Sequence, residues 1–122
     1  EDASGLKELV FSIARVVEKH AVIEEKFLFP ELEPHLGDAR GPVAVMEFEH
    51  GEIRKILAAL REATEPNVIR LEAAKFSVFL RDHIAKEEKV LFPLVEDFVD
   101  EKRLQAIGRR VCTLDRIEAS TV

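Results

Sequence analysis

His83-Ile84-Ala85-Lys86-Glu87-Glu88-Lys89-Val90-Leu91-Phe92-Pro93 repeats His20-Ala21-Val22-Ile23-Glu24-Glu25-Lys26-Phe27-Leu28-Phe29-Pro30 almost position for position. Each copy carries a histidine with a glutamate four residues on. On a helix those two positions lie on one face a turn apart, so each copy projects an imidazole and a carboxylate in the same direction. A pair of that kind suits a transition metal, and here it occurs twice.

Apolar residues keep helical spacing on both sides of the repeats, the interruptions carry turn chemistry, and no strand pattern competes, so the chain reads as all-α. A first helix is expected from about Leu6 to the Pro30 region, with Leu6, Leu9, Ile13, Val16, Val17, His20, Glu24 and Phe27 on its inner stripe. The stretch from Glu33 to Pro42 reads as a connector, and Gly41-Pro42 suits the start of a second helix over roughly residues 42 to 63. In that helix Val43, Met46, His50, Ile53, Leu57 and Leu60 form a narrow seam that places His50 in the core. Thr64-Glu65-Pro66-Asn67 breaks the pattern. A third helix then runs to the Pro93 region with Leu71, Phe76, Phe79, Leu80, His83, Glu87 and Val90 inward. Pro30 and Pro93 each remove a helical hydrogen bond, so both repeats should end or kink there. A shorter fourth helix around 101 to 117 offers Leu104, Ile107, Val111 and Leu114 as apolar cover.

Counting along antiparallel helices brings the histidines level. His20 and His50 stand about 15 and 12 Å from the loop that joins their helices, and His50 and His83 about 20 and 24 Å from the next turn, at 1.5 Å per residue. One layer of the bundle therefore gathers His20, Glu24, His50, His83 and Glu87 inside an aliphatic and Phe-rich interior. Unpaired carboxylates there would cost several kcal/mol each, so these groups must satisfy one another or hold metal. Imidazole and carboxylate without thiolate suit iron first, with manganese or zinc as alternatives.

The two HxxxEExxLFP repeats and the intervening Glu49-His50-x-x-x-Arg54 resemble the hemerythrin-like, HHE cation-binding domain family over about Leu6 to Glu96. The resemblance implies an antiparallel up-down four-helix bundle around two non-haem iron ions with an oxo or hydroxo bridge. His20, His50 and His83 would be terminal ligands, and Glu24 and Glu87 would bridge the ions. The family also has an earlier helix with a further histidine, and no residue here matches it. The helices of His20 and His83 can be related by a pseudo-two-fold axis, whereas the His50 helix has no mate. Closure is therefore expected from a homodimer or from a helix upstream of Glu1. The opening Glu1-Asp2-Ala3-Ser4-Gly5 reads as the end of a loop, which also suggests chain before it. Oxygen-carrying hemerythrin has another histidine where Arg54 stands, a cation and no ligand. Binding or sensing of oxygen, NO or iron and redox state is thus favoured over stable oxygen carriage. An oxidoreductase, an iron-centre repair enzyme and an apo helical interaction domain remain as alternatives. Tyr and Trp are absent, which disfavours radical chemistry beside the metal.

The 122 residues suffice for one domain, with a core over about 6–96 and an accessory helix at about 101–117, and no apolar run is long enough to span a membrane. A formal charge of -6, with basic residues scattered among acidic ones, argues against nucleic acid as a partner. The single cysteine, Cys112, excludes an internal disulfide and, with no visible signal peptide, leads to a cytoplasmic expectation. Cys112 is expected to pack beside Val111. His35, in the connector, reads as a surface residue. Glu25 and Glu88 read as solvated, Glu47 as a weak candidate ligand or imidazole partner, and Phe27, Phe76 and Phe79 as packing that keeps the site dry.

Overall fold

A computed structural model describes residues 3–37 and 41–121, with side chains described as far as Thr113. Its described elements are helical: α1 (Ala3–Ile23), a π-turn (Glu24–Leu28), α2 (Phe29–Leu32), a 3-10 turn (Glu33–His35), α3 (Gly41–Glu62), α4 (Pro66–Lys86), a second π-turn (Glu87–Leu91), α5 (Phe92–Phe98) and α6 (Glu101–Thr121). Lys7, near the start of α1, donates to the carbonyls of Arg61 and Ala63 at the end of α3, so these two helices run antiparallel and the α3 terminus is capped by a cation. Glu65 accepts from the Val68 N–H and, with Pro66 in the first turn, starts α4. Among the described residues no helix is long and apolar enough to cross a membrane.

The repeats do not end at their prolines. A proline ring collides with the carbonyl four residues back, and a π-turn relieves the collision by widening the helix ahead of it. The Phe29 N–H accordingly reaches the carbonyl of Glu24, and the Phe92 N–H that of Glu87, each five residues back. The helix then continues as α2 and α5, so each His/Glu pair of the repeat stands at the mouth of a bulge.

The α3 seam is buried as expected at Val43, Met46, His50, Ile53, Leu57 and Leu60. On α1 the packed face is narrower than the apolar stripe: Ala3, Val10, Ala14 and Ala21 are buried, whereas Leu9 is 57% and Val16 70% exposed. The packed face of α1 is carried mainly by alanines, and Leu9, Ile13 and Val16 lie outside it. On α4 the inward set is Ile69, Glu72, Ala73, Phe76 and His83, while Leu71 and, beyond the helix, Val90 are exposed.

Two apolar clusters result. Val10, Ala14, Ile53, Leu57, Leu60, Ile69 and Phe76 belong to one, and Phe29, Leu32, Val43, Met46, Leu91, Val95, Val99 and Ile107 to the other. The repeated His/Glu positions lie between the two. The last helix is longer than expected, matching α1 at 21 residues. It buries Ile107 in the second cluster, with Val111 against it, and is pinned by Arg103 on Glu31 at 2.6 Å and by Arg110 over the Phe27 ring. Leu104 is exposed, and Leu114 lies outside the residues whose side chains are described. Cys112 is exposed rather than packed.

Candidate metal centre

Ligand atoms of Glu24, His50, His83 and Glu87 all lie within 4.8 Å of one another, and all four residues are buried. They come from the two π-turns, from α3 and from α4. Four of the five candidates thus converge. The fifth, His20, is not in that tight group and its side chain is 49% exposed. It still turns Nε2 to both carboxylates, 2.9 Å from Glu24 Oε2 and 3.2 Å from Glu87 Oε2.

The three imidazoles approach the carboxylates through the same atom. His50 Nε2 is 3.1 Å from Glu24 Oε1, and His83 Nε2 is 3.3 Å from Glu87 Oε2. The rings of His50 and His83 are 5.0 Å apart, and Phe29 stacks on His50. One oxygen is left over: Glu24 Oε2 is buried without a hydrogen bond among the described residues, since His20 is close but not aligned to donate to it. A buried carboxylate oxygen without a donor is costly in a protein alone and is the kind of atom a cation satisfies. The residues therefore fit a metal.

Charge distribution points the same way. The carboxylates of Glu24 and then Glu87, both close to Nε2, raise the His20 imidazole to about 10, outweighing its burial. Burial would lower His83, but hydrogen bonds to Glu87 and Glu49 hold it above its ordinary value. For Glu87 burial works upward and is overcome by hydrogen bonds from His20 and His83, leaving the carboxyl well below the usual range. Protons on the imidazoles balance the carboxylates where an ion would do so.

Two residues next to the ligands were misread or missed in the sequence. Glu25 is not simply a solvated group: half-buried, it places Oε2 2.7 Å from His50 Nδ1, and Arg54 holds the same carboxylate. Glu49, with no expectation attached to it, is buried with Oε1 2.9 Å from His83 Nδ1 and Oε2 on Lys86. Adjacency to a ligand was the available signal in both cases. Glu88 is exposed as expected, and Glu47 is not in the converging group. His35 is exposed and stacks on Phe98. Arg54 grips Glu18 and Glu25.

A helical bundle with a buried layer of imidazoles and carboxylates defines a cation-binding all-α protein. The chain belongs to the hemerythrin HHE cation-binding domain family, which matches residues 1–95. It is similar to the iron-sulfur cluster repair protein YtfE of Escherichia coli (strain K12 / DH10B), at 31% identity over 101 residues, covering 73% of this chain and 46% of that protein. The protein of the same name from Shigella boydii serotype 18 matches to the same extent. The chain spans about half the length of these curated relatives. No solved structure is a significant match.

Proposed function

We propose that His20, Glu24, His50, His83 and Glu87 would hold two non-haem iron ions and that the centre binds or senses oxygen, NO or iron and redox state. The convergence of four buried ligand atoms within 4.8 Å carries this reading. A cavity of about 220 Å³ reaches the layer between α1 and α4, with Val16, Val17, Leu80 and Ile84 on its walls and His20, His83 and Glu87 among its lining residues. Aliphatic walls admit a small uncharged molecule and disfavour a charged one. When bound, iron supplies the redox change and open coordination positions. The chain's own residues orient the imidazoles, exclude bulk water with Phe29 and the two apolar clusters, and carry the negative charge that an ion requires.

A repair role is the second reading, and the similarity to the iron-sulfur cluster repair protein YtfE favours it. That similarity covers under half of those proteins, and the cavity serves either role. The face of α1 and α4 that carries Val16 and Ile84 needs cover, so we also propose that a helix from a second copy, or from chain outside residues 1–122, closes the bundle there. Residues 1–122 would form one domain, with α6 sealing its end.

Anaerobic loading with Fe(II), followed by elemental analysis and optical spectra before and after oxygen or NO, tests the proposal. Two irons per chain and a spectrum altered by either gas are expected. A chain that takes up no iron overturns it.

A further inference from the structure

Both histidines that are wholly buried are held from behind by a carboxylate, and both carboxylates are held by a cation. His50 Nδ1 meets Glu25 Oε2 at 2.7 Å, and Arg54 donates Nη2 to Glu25 Oε1 at 3.2 Å and pairs Nη1 with Oε2 at 3.1 Å. Arg54 is itself fixed by Glu18, with contacts of 2.7 to 3.1 Å. On the other side, Glu49 takes His83 Nδ1 on Oε1 at 2.9 Å and Lys86 on Oε2. Neither Glu25 nor Glu49 belongs to the converging ligand group, although each is a sequence neighbour of one of its members.

A carboxylate can only accept, so the Nδ1 atom facing it must carry hydrogen. With Nδ1 committed to donating outward, Nε2, which points at Glu24 or Glu87, is the nitrogen that gives up its proton to an ion. The cations keep the carboxylates charged and in place. A long side chain such as Glu25, partly open to solvent, would otherwise turn out to water.

We infer that Glu25 and Glu49 are positioning residues of the metal site, each fixing one histidine with Nε2 toward the ion and each anchored by its own cation, Arg54 or Lys86. The inference rests on the metal-site reading proposed above. The repeat supplies an internal control. Glu88 occupies the place of Glu25 in the second copy, with the same neighbours Glu, Lys and Leu-Phe-Pro around it, yet it is exposed. α3 brings His50 to the Glu25 side, and on the Glu88 side no described imidazole takes the corresponding place. Position in the motif is therefore not enough; a neighbouring helix must deliver the ring.

The test uses zinc as a diamagnetic probe in the full chain with ¹⁵N-labelled histidine. In the wild type, Nδ1–H signals of His50 and His83 should be visible and slow to exchange with water. Glu25→Ala should abolish the slow signal of His50 alone, and Glu49→Ala that of His83 alone. Each should release zinc to a chelator about 10- to 100-fold faster. Glu25→Gln and Glu49→Gln keep an acceptor oxygen and should retain the signal with a smaller change in rate, which also covers an alanine variant that fails to fold. Glu88→Ala should match the wild type in both readouts. In Glu25→Ala the guanidinium of Arg54 keeps Glu18, and in Glu49→Ala the ammonium of Lys86, whose side chain is 43% exposed, reaches water, so neither change strands a buried cation. Zinc release and Nδ1–H signals in Glu25→Ala and Glu49→Ala equal to those of Glu88→Ala, in protein of unchanged helical content, would overturn the positioning role and leave the metal site standing. A wild type that binds neither zinc nor iron would overturn both.

Discussion

His20 and Glu87 stand 3.2 Å apart although 67 residues separate them. The same Glu87 oxygen lies 3.3 Å from His83 Nε2, so one carboxylate draws together imidazoles from both copies of the repeat. Glu24 behaves alike, between His20 and His50. The two copies interlock, each glutamate serving its own histidine and one from another helix. Glu24→Ala and Glu87→Ala should therefore abolish tight metal binding, whereas Glu88→Ala should leave it unchanged. Equilibrium dialysis with Fe(II) or zinc reads the difference, and equal losses in all three variants would refute the placing of Glu24 and Glu87 at the metal.

The metal-free protein should be most stable at mildly acidic pH. His20 is raised from 6.5 to about 10 and His83 is raised as well, so their contribution is complete below about 6.5 and is lost as pH climbs toward 10. Glu87, Glu25 and Glu49 are lowered from 4.5, so theirs is present above that value and is lost as pH falls further. Thermal unfolding of chelator-treated protein should give its highest midpoint between about 4.5 and 6.5. Metal competes with protons for Nε2, so its stabilising effect should grow over the range in which the metal-free protein weakens. A metal-free midpoint that rises steadily from pH 6.5 to 9 would contradict this.

The parts of this arrangement legible in the sequence were those with one geometric solution. The α3 seam is a strict three-four alternation, and all six of its apolar and histidine positions are buried. The level of the histidines follows from helix rise and loop position, and the coordinates agree. The rotation of α1 did not follow from its sequence, because its apolar residues cover more than one face while alanines form the one that packs. The burial of Glu25 and Glu49 was equally hidden, since it depends on which neighbouring helix presents an imidazole. The π-turns at Glu24 and Glu87 were signalled by Pro30 and Pro93, yet those prolines read only as places where a helix ends or kinks.

Leu60→Ala should cost about 2–5 kcal/mol of folding stability, the range for emptying a fully buried leucine site. Leu60 is 0% exposed in the first apolar cluster, away from the ligand layer. Val78→Ala, at a side chain 69% exposed on α4, should stay within about 0.5 kcal/mol. Urea unfolding of the two variants at one fixed metal concentration measures both, and a Leu60→Ala protein as stable as Val78→Ala would mean that the first cluster is not the packed core described here.

The final expectation concerns what covers the open side. Leu9, Ile13, Val16 and Ile84 are all exposed, and Val16 and Ile84 line the cavity beside half-exposed His20. Burying one such side chain fully contributes about 1.5–3 kcal/mol, so the four together are comparable to the 4–15 kcal/mol estimated as the cost of joining two molecules. Association through this face should consequently be reversible and dependent on concentration, with a two-fold arrangement satisfying the same surface on both copies. Sedimentation should show dimers forming as the concentration rises, and Val16→Glu should shift the equilibrium to monomer by placing a charge in the contact. If chain outside residues 1–122 normally fills this face, adding it should abolish that dimer and slow metal release, because His20 would then be covered. A folded monomer at every concentration, in which Val16→Glu changes nothing, would show that the three long helices and α6 need no further partner.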